Sequence, residues 1–296
     1  MTAAATAARP AGWLRAMPAV FVLIWSTGFI VARYGMPYAP PLKFLVVRYA
    51  LSVICFLVWV VSARVAWPRD RVQWGHLVVT GVLMQAGYLG GVWAAVRAGM
   101  GSGLVALMVG VQPVLTAVWL SLRGGRVSGR QWLGLLLGFA GLVLVVWRKL
   151  EQGGEVSLLT LSLAITALLS ITTGTLYQKR FVAPCDVRCA NAIQLGAAFI
   201  VTLPFAAMES ESIQWNLSSG GAMAWSVLAL SLGGSSLLYM LIQRGTATAV
   251  TSLLYLVPPC TAVMAWLLFA EPITAVTLVG IAMTAVGVSL AVRGQR

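Results

Sequence analysis

"AGMGSGLVALMVGVQPVLTAVW" (residues 98–119) and "RGTATAVTSLLYLVPPCTAVMA" (residues 244–265) decide how this chain is built. Laid over one another at a fixed offset of 146 residues, Gly99 meets Gly245, Leu107 meets Leu253, Val111 meets Val257 and Pro113 meets Pro259. The same offset pairs Thr27 with Thr173, Gly28 with Gly174, Gly134 with Gly280 and Gly141 with Gly287. Single identities carry little weight in apolar sequence. One shared register across two halves is the mark of an internal repeat, and residues 1–148 and 149–296 are read as its two copies.

Outward from these segments, 60% of the 296 residues are hydrophobic and 9% charged, with a mean hydropathy of +0.91. Soluble domains carry about 25% charged residues, so a soluble fold is excluded. Ten apolar runs follow one another, centred near Trp25, Phe56, Gln85, Gly110, Phe139, Leu168, Ala198, Ala229, Leu256 and Gly280. Each approaches the roughly 20 residues that cross a hydrocarbon core as a helix. The expected fold is therefore an all-α polytopic membrane protein with ten transmembrane helices. Five spans per half is an odd number, so the second half enters the membrane from the opposite side. Inverted repeats of this kind are typical of secondary transporters, with the substrate site near the midplane between the halves.

A net charge of +13 in a soluble protein would point to nucleic acid. Here it follows topology instead. With the N-terminus placed in the cytoplasm, 14 of the 20 basic residues fall on the cytoplasmic side, the bias that sets orientation in membranes. Both termini are then cytoplasmic. The opening "AAATAARPAGWLRAMPAVFVLIWSTGF" (residues 3–29) resembles a signal peptide in its basic flank, but its apolar stretch is long and the repeat needs it as a span.

Chemistry at a fixed centre has little to build on. The cysteines Cys55, Cys185, Cys189 and Cys260 are scattered, and Cys185 and Cys189 lie near no histidine. Neither a disulfide nor a metal site is expected, and no cofactor. All seven carboxylates sit in loops or at span ends, and the lone histidine, His76, begins the third span. A membrane enzyme needs such groups clustered at depth, and a proton-coupled carrier usually holds an ionisable relay there. Facilitated transport of a neutral solute is the expectation, with Arg48 and Arg97 snorkelling to the outer interface.

The segments "WSTGFIVARYG" (residues 25–35), the two Gly-to-Pro stretches quoted above and "FAEPITAVTLVGIAMTAVGVSLAV" (residues 269–292) together resemble the drug/metabolite transporter superfamily, in its EamA-type ten-helix branch. Within that branch the chain is most similar to the YddG-type exporters of aromatic and other neutral amino acids. The first half departs from the family pattern, with Gly125 where the second half has Glu271 and Ser128 where it has Thr274. The resemblance implies a bacterial inner-membrane carrier whose helices surround a central cavity. Its alternative is a broad-specificity drug or metabolite exporter coupled to protons. Its partners would be a small-molecule substrate and membrane lipid, with no nucleic acid, and its state a monomer or weak homodimer.

Polar stripes mark the candidate site. Ser162, Thr166, Ser170, Thr173 and Tyr177 share one face of the sixth span, and Ser231, Ser235, Tyr239 and Gln243 one face of the eighth. Thr248, Thr251, Tyr255 and Pro259 line up in the ninth, and Gln85, Leu89, Trp93 and Arg97 in the third, with Tyr88 beside them. The substrate-binding candidates are Trp25, Thr27, Gln85, Tyr88, Trp93, Thr173, Tyr177, Ser235, Tyr239 and Tyr255. Their hydroxyls and amides suit a zwitterion's carboxylate, and their rings its ammonium or an aromatic side chain. Pro113 and Pro259 are expected to bend the fourth and ninth spans and to act as hinges. Gly134, Gly138 and Gly141 make a small-residue face in the fifth span, with Gly280, Thr284 and Gly287 as its counterpart in the tenth, either for packing within one chain or as a dimer seam.

Overall fold

Backbone in lipid has no water to bond, so an apolar chain satisfies its N–H and C=O groups internally by coiling into helices. A computed structural model describes residues 12–124, 128–152, 154–244, 253–270 and 273–293, and every regular element among them is helical. Ten spans result. The first two are α1 (Gly12–Gly35) and α2 (Pro41–Ser62). The third joins α3 (Arg71–Gly81) to α4 (Tyr88–Arg97) through a π-helical segment, Val82–Gly87. The fourth is α5 (Ser102–Val109) followed by α6 (Gln112–Leu122), and the fifth is α7 (Gly129–Gln152).

The sixth and seventh spans are α8 (Leu158–Phe181) and α9 (Val187–Ala207). The eighth joins α10 (Leu217–Trp225) to α11 (Ser236–Arg244) through a second π segment, Ser226–Ser235. In the ninth, a 3₁₀ turn, Leu254–Leu256, precedes α12 (Val257–Phe269), and the tenth is α13 (Ala275–Arg293). Seven spans are long and apolar enough to cross a membrane; the fifth, ninth and tenth hold shorter apolar helices. The chain is a multi-pass helical membrane protein.

Irregularities recur at the repeat offset. The π segments occupy equivalent stretches of the third and eighth spans, and the fourth and ninth spans both break just before Pro113 and Pro258–Pro259. The expected bend is instead a restart. Pro113 lies in the first turn of α6, and Pro258 and Pro259 in the first turn of α12, where backbone N–H groups have no intrahelical acceptor. The doubled proline therefore removes no helical hydrogen bond. The two breaks also touch: a Cβ on Gly110 would stand 2.7 Å from Pro258 Cγ. Gly110→Ala is expected to destabilise the protein by about 1–3 kcal/mol through overpacking. Adding Pro258→Ala should recover part of that loss, as measured by thermal unfolding of the two single variants and the double variant in detergent.

The small-residue faces of the fifth and tenth spans close on each other within the chain. A Cβ on Gly141 would lie 2.7 Å from the Gly280 carbonyl oxygen, and one on Gly287 2.3 Å from that of Gly134. Thr284 Oγ1 donates to the Gly280 carbonyl at 2.8 Å. These faces are consumed by this contact, and the packing alternative is the one observed.

Loops fix the ends. α2 starts with no side-chain cap of its own; Glu209, from the segment after α9, accepts from Leu42 N at 3.0 Å and Lys43 N at 2.8 Å. A carboxylate at a helix start satisfies unpaired N–H groups and complements the dipole. Asp186 caps α9, and the Arg188 guanidinium beside it holds its carboxyl below the usual range.

Candidate functional site

The two π segments are bridged by a weak contact, Gln85 Nε2 to Ser235 Oγ at 3.4 Å. π turns widen a helix locally and often mark functional positions. Around this bridge Trp25, Gln85, Tyr88, Trp93 and Ser235 line one cavity, together with Arg48, Phe29 and Leu230. The space between them is about 20 Å³, room for roughly one water.

The walls are rigid aromatics. Trp25 stacks on Tyr88 with ring centroids 6.0 Å apart and planes 1° from parallel. Trp93, 1% exposed, lies against Phe44 at 4.7 Å. Tyr49, on α2, donates its hydroxyl to the Gln85 carbonyl at 2.8 Å and ties the second span to the third.

Arg48 contradicts its expectation. It does not reach the interface but is 2% exposed, donating from Nε to Ser231 Oγ at 3.0 Å. Its guanidinium carbon stands 6.0 Å from the Trp93 ring centroid, and Nη1 has no partner among the described residues. Seven residues into α2, it sits about 10 Å below the helix start, on the face turned to the eighth span. Arg97 does stay at a span end, paired with Glu211 and donating to the Met36 carbonyl at 2.6 Å.

Other candidates lie elsewhere. Thr27 Oγ1 donates to the Ile24 carbonyl at 2.6 Å and accepts from Trp225 Nε1 at 2.9 Å. Thr173 is on the exposed side of α8, and the expected inward stripe of the sixth span faces out with it. Ser162 and Thr166 are also exposed and bond carbonyls of their own helix at 2.8 Å, the usual resort of hydroxyls in membrane helices. The buried polar face of α8 carries Thr172, Thr175 and Gln178 instead. Tyr177 hydrogen-bonds His76 Nδ1 at 2.9 Å.

Tyr239 is buried beside Leu77, Val182, Ala190 and Ile193, with its hydroxyl 3.1 Å from Cys185 Sγ. It belongs to a seal at the end of the bundle opposite Arg97. Gln73 reinforces that seal, donating to the Ala183 carbonyl at 2.7 Å and accepting from Ala183 N at 3.0 Å; Lys179 Nζ donates to the Ile242 carbonyl at 2.9 Å. The backbone of Tyr255 lies in the 3₁₀ turn of the ninth span, and its side chain, with Thr248 and Thr251, falls outside the described residues.

One guanidinium among aromatic faces, the Gln85 amide, the Tyr88 and Ser235 hydroxyls and, among the described residues, no carboxylate in the lining can hold a small solute with an apolar body and a polar head. No cluster of His, Cys, Asp or Glu able to hold a metal occurs among the described residues. The sequence reading sent Arg48 to the outer interface, although a charge inside an apolar run is itself a signal of function.

The model of the EamA-like transporter family matches residues 16–147 and again residues 158–293. An uncharacterized transporter of Bacillus subtilis (strain 168), YvbV, is 27% identical over 277 residues, covering 92% of this chain and 89% of that protein. The uncharacterized inner membrane transporter YedA of Escherichia coli (strain K12) is 27% identical over 82% of this chain and 78% of its own length. A probable amino-acid metabolite efflux pump of the same strain is 22% identical, covering 93% of both chains. One solved crystal structure shares the fold with a TM-score of 0.72 at 16% identity, over 93% of this chain and 94% of its own.

Proposed function

Because the chain belongs to the EamA-like transporter family, we propose that it is a bacterial inner-membrane carrier exporting small neutral metabolites, foremost aromatic and neutral amino acids. The observation that carries this reading is the cavity at the π-segment bridge, where Trp25, Tyr88 and Trp93 offer stacking faces and Gln85 and Ser235 offer polar ones. A relative named as a probable amino-acid metabolite efflux pump supports the substrate class.

Transport then proceeds by alternating access. The repeats, 1–148 and 149–296, rock against each other, with both termini on the cytoplasmic side. Pro113 and Pro259 lie at the restarts of the fourth and ninth spans, where a chain without a continuous hydrogen-bond ladder bends at least cost. One gate is the Tyr239–Cys185 seal and the other the Arg97–Glu211 pair. With about 20 Å³ of free space, the cavity admits substrate only when one gate opens and the aromatic walls part.

Among the described residues no carboxylate lines the cavity, which favours facilitated diffusion over proton antiport. Purified protein in liposomes, given labelled neutral amino acids with and without a pH gradient, tests both points. Flux of aromatic and neutral amino acids that the gradient leaves unchanged is the expected result. Flux that follows the gradient would overturn facilitated diffusion, and export of drugs without amino-acid flux would favour the broad-specificity exporter.

A further inference from the structure

Arg48 is a cation buried within the second span, with no carboxylate against it among the described residues. Such a group is expensive to bury, and inside a membrane span it is kept for a task. Packing does not supply that task. Ser231 takes one donor, Nε, at 3.0 Å, and the Trp93 ring takes the guanidinium face. Nη1 remains buried and unpartnered, in a side chain that lines the cavity.

We propose that Arg48 is the carboxylate anchor of this site, so that a carboxylate is obligatory in the substrate and an amino group is not. This inference rests on the cavity being the transport site. A carboxylate oxygen at Nη1 would complete the guanidinium with a charge-assisted hydrogen bond. The Ser231 tether and the Trp93 face hold the fork in one plane, and a planar fork already fixed loses little freedom on binding. The stacked Trp25–Tyr88 pair then lies against the apolar body of the solute. An ammonium group, by contrast, finds no carboxylate in the lining among the described residues and shares the cavity with Arg48, a like charge. Monocarboxylates are therefore bound at least as tightly as zwitterions, and amines that lack a carboxylate are rejected.

The test uses four indoles of nearly one shape: L-tryptophan, indole-3-propionate without the amine, tryptophan amide without the carboxylate charge, and tryptamine. Each is offered to the wild-type protein in liposomes, and binding is also read in detergent by thermal shift. Tryptophan and indole-3-propionate should be carried, and the amide and tryptamine at least tenfold less well. In Arg48→Gln this discrimination should disappear, and in Arg48→Lys, which keeps the charge without the fork, it should survive in part. Amide and acid carried alike by the wild type would overturn the anchor while leaving the transport reading intact, and that outcome needs no variant to fold. Indole-3-propionate carried without tryptophan would keep the anchor and end the amino-acid reading. If no compound binds or moves, both fall.

Discussion

Gly81→Ala should lower the thermal unfolding midpoint of the detergent-purified protein by about 5 °C or more and reduce the yield of folded protein. At Gly81 the third span crosses the seventh so closely that an added Cβ would lie 2.3 Å from the Gln194 carbonyl oxygen and 2.6 Å from its Cα. Both obstacles are backbone, so no flexible side chain can give way and the helices themselves must part. Small residues let helices meet in this manner in lipid, where dispersion packing rather than water exclusion holds them. Parting them also strains a buried polar node, in which Gln194 Nε2 reaches Thr80 Oγ1 at 3.2 Å and Gln178 Oε1 at 3.4 Å. Overpacking of a dense core costs about 1–3 kcal/mol and sometimes more. Gly75, six residues earlier on the same helix, has nothing within 4 Å of a built Cβ. Gly75→Ala should leave the midpoint unchanged or raise it slightly through helix propensity. Equal midpoints for the two variants would falsify this account of the crossing.

Trp25→Ala is expected to slow amino-acid transport in liposomes at least tenfold at equal amounts of reconstituted protein. Trp25 is the plate on which Tyr88 stacks, and it also touches Phe21, with centroids 5.2 Å apart. Its loss removes one aromatic wall and leaves Tyr88 unsupported in the cavity. An aromatic pair contributes about 0.5–1.5 kcal/mol beyond its buried area. Added to the lost contact with the solute, that exceeds the roughly 1.4 kcal/mol corresponding to a factor of ten. Trp25→Phe keeps a stacking face and should retain most of the rate. Because Trp25 is only partly buried, the alanine variant should still purify as folded protein; normal transport by it would remove Trp25 from the site.

The sequence carried the fold a long way. The offset identity of Pro113 with Pro259 marked where the fourth and ninth spans are irregular, although the expected bends are restarts, with each proline in the first turn of a new helix. Of the candidates on the third and eighth spans, Gln85, Tyr88, Trp93 and Ser235 line one cavity, and Tyr239 does not. The π turns of these spans were not legible, since no residue type demands one. The sixth span was misread. Ser162, Thr166 and Thr173 do share a face, yet that face points outward.

By itself, then, the sequence determined the helical membrane fold, the repeat and the places where the fourth and ninth spans are irregular, since these follow from apolar length and from backbone chemistry along the chain. Only the tertiary structure decided how each helix is rotated about its axis. In water, hydrophobicity marks the inward face; in a bilayer the surroundings are as apolar as the core, so periodicity shows which residues share a face but not where it points. Rotation is set instead by close approach, as at Gly81 against Gln194, and by where a buried polar group finds a partner. Arg48, turned by α2 toward Ser231, became the one cation of the cavity lining for that reason.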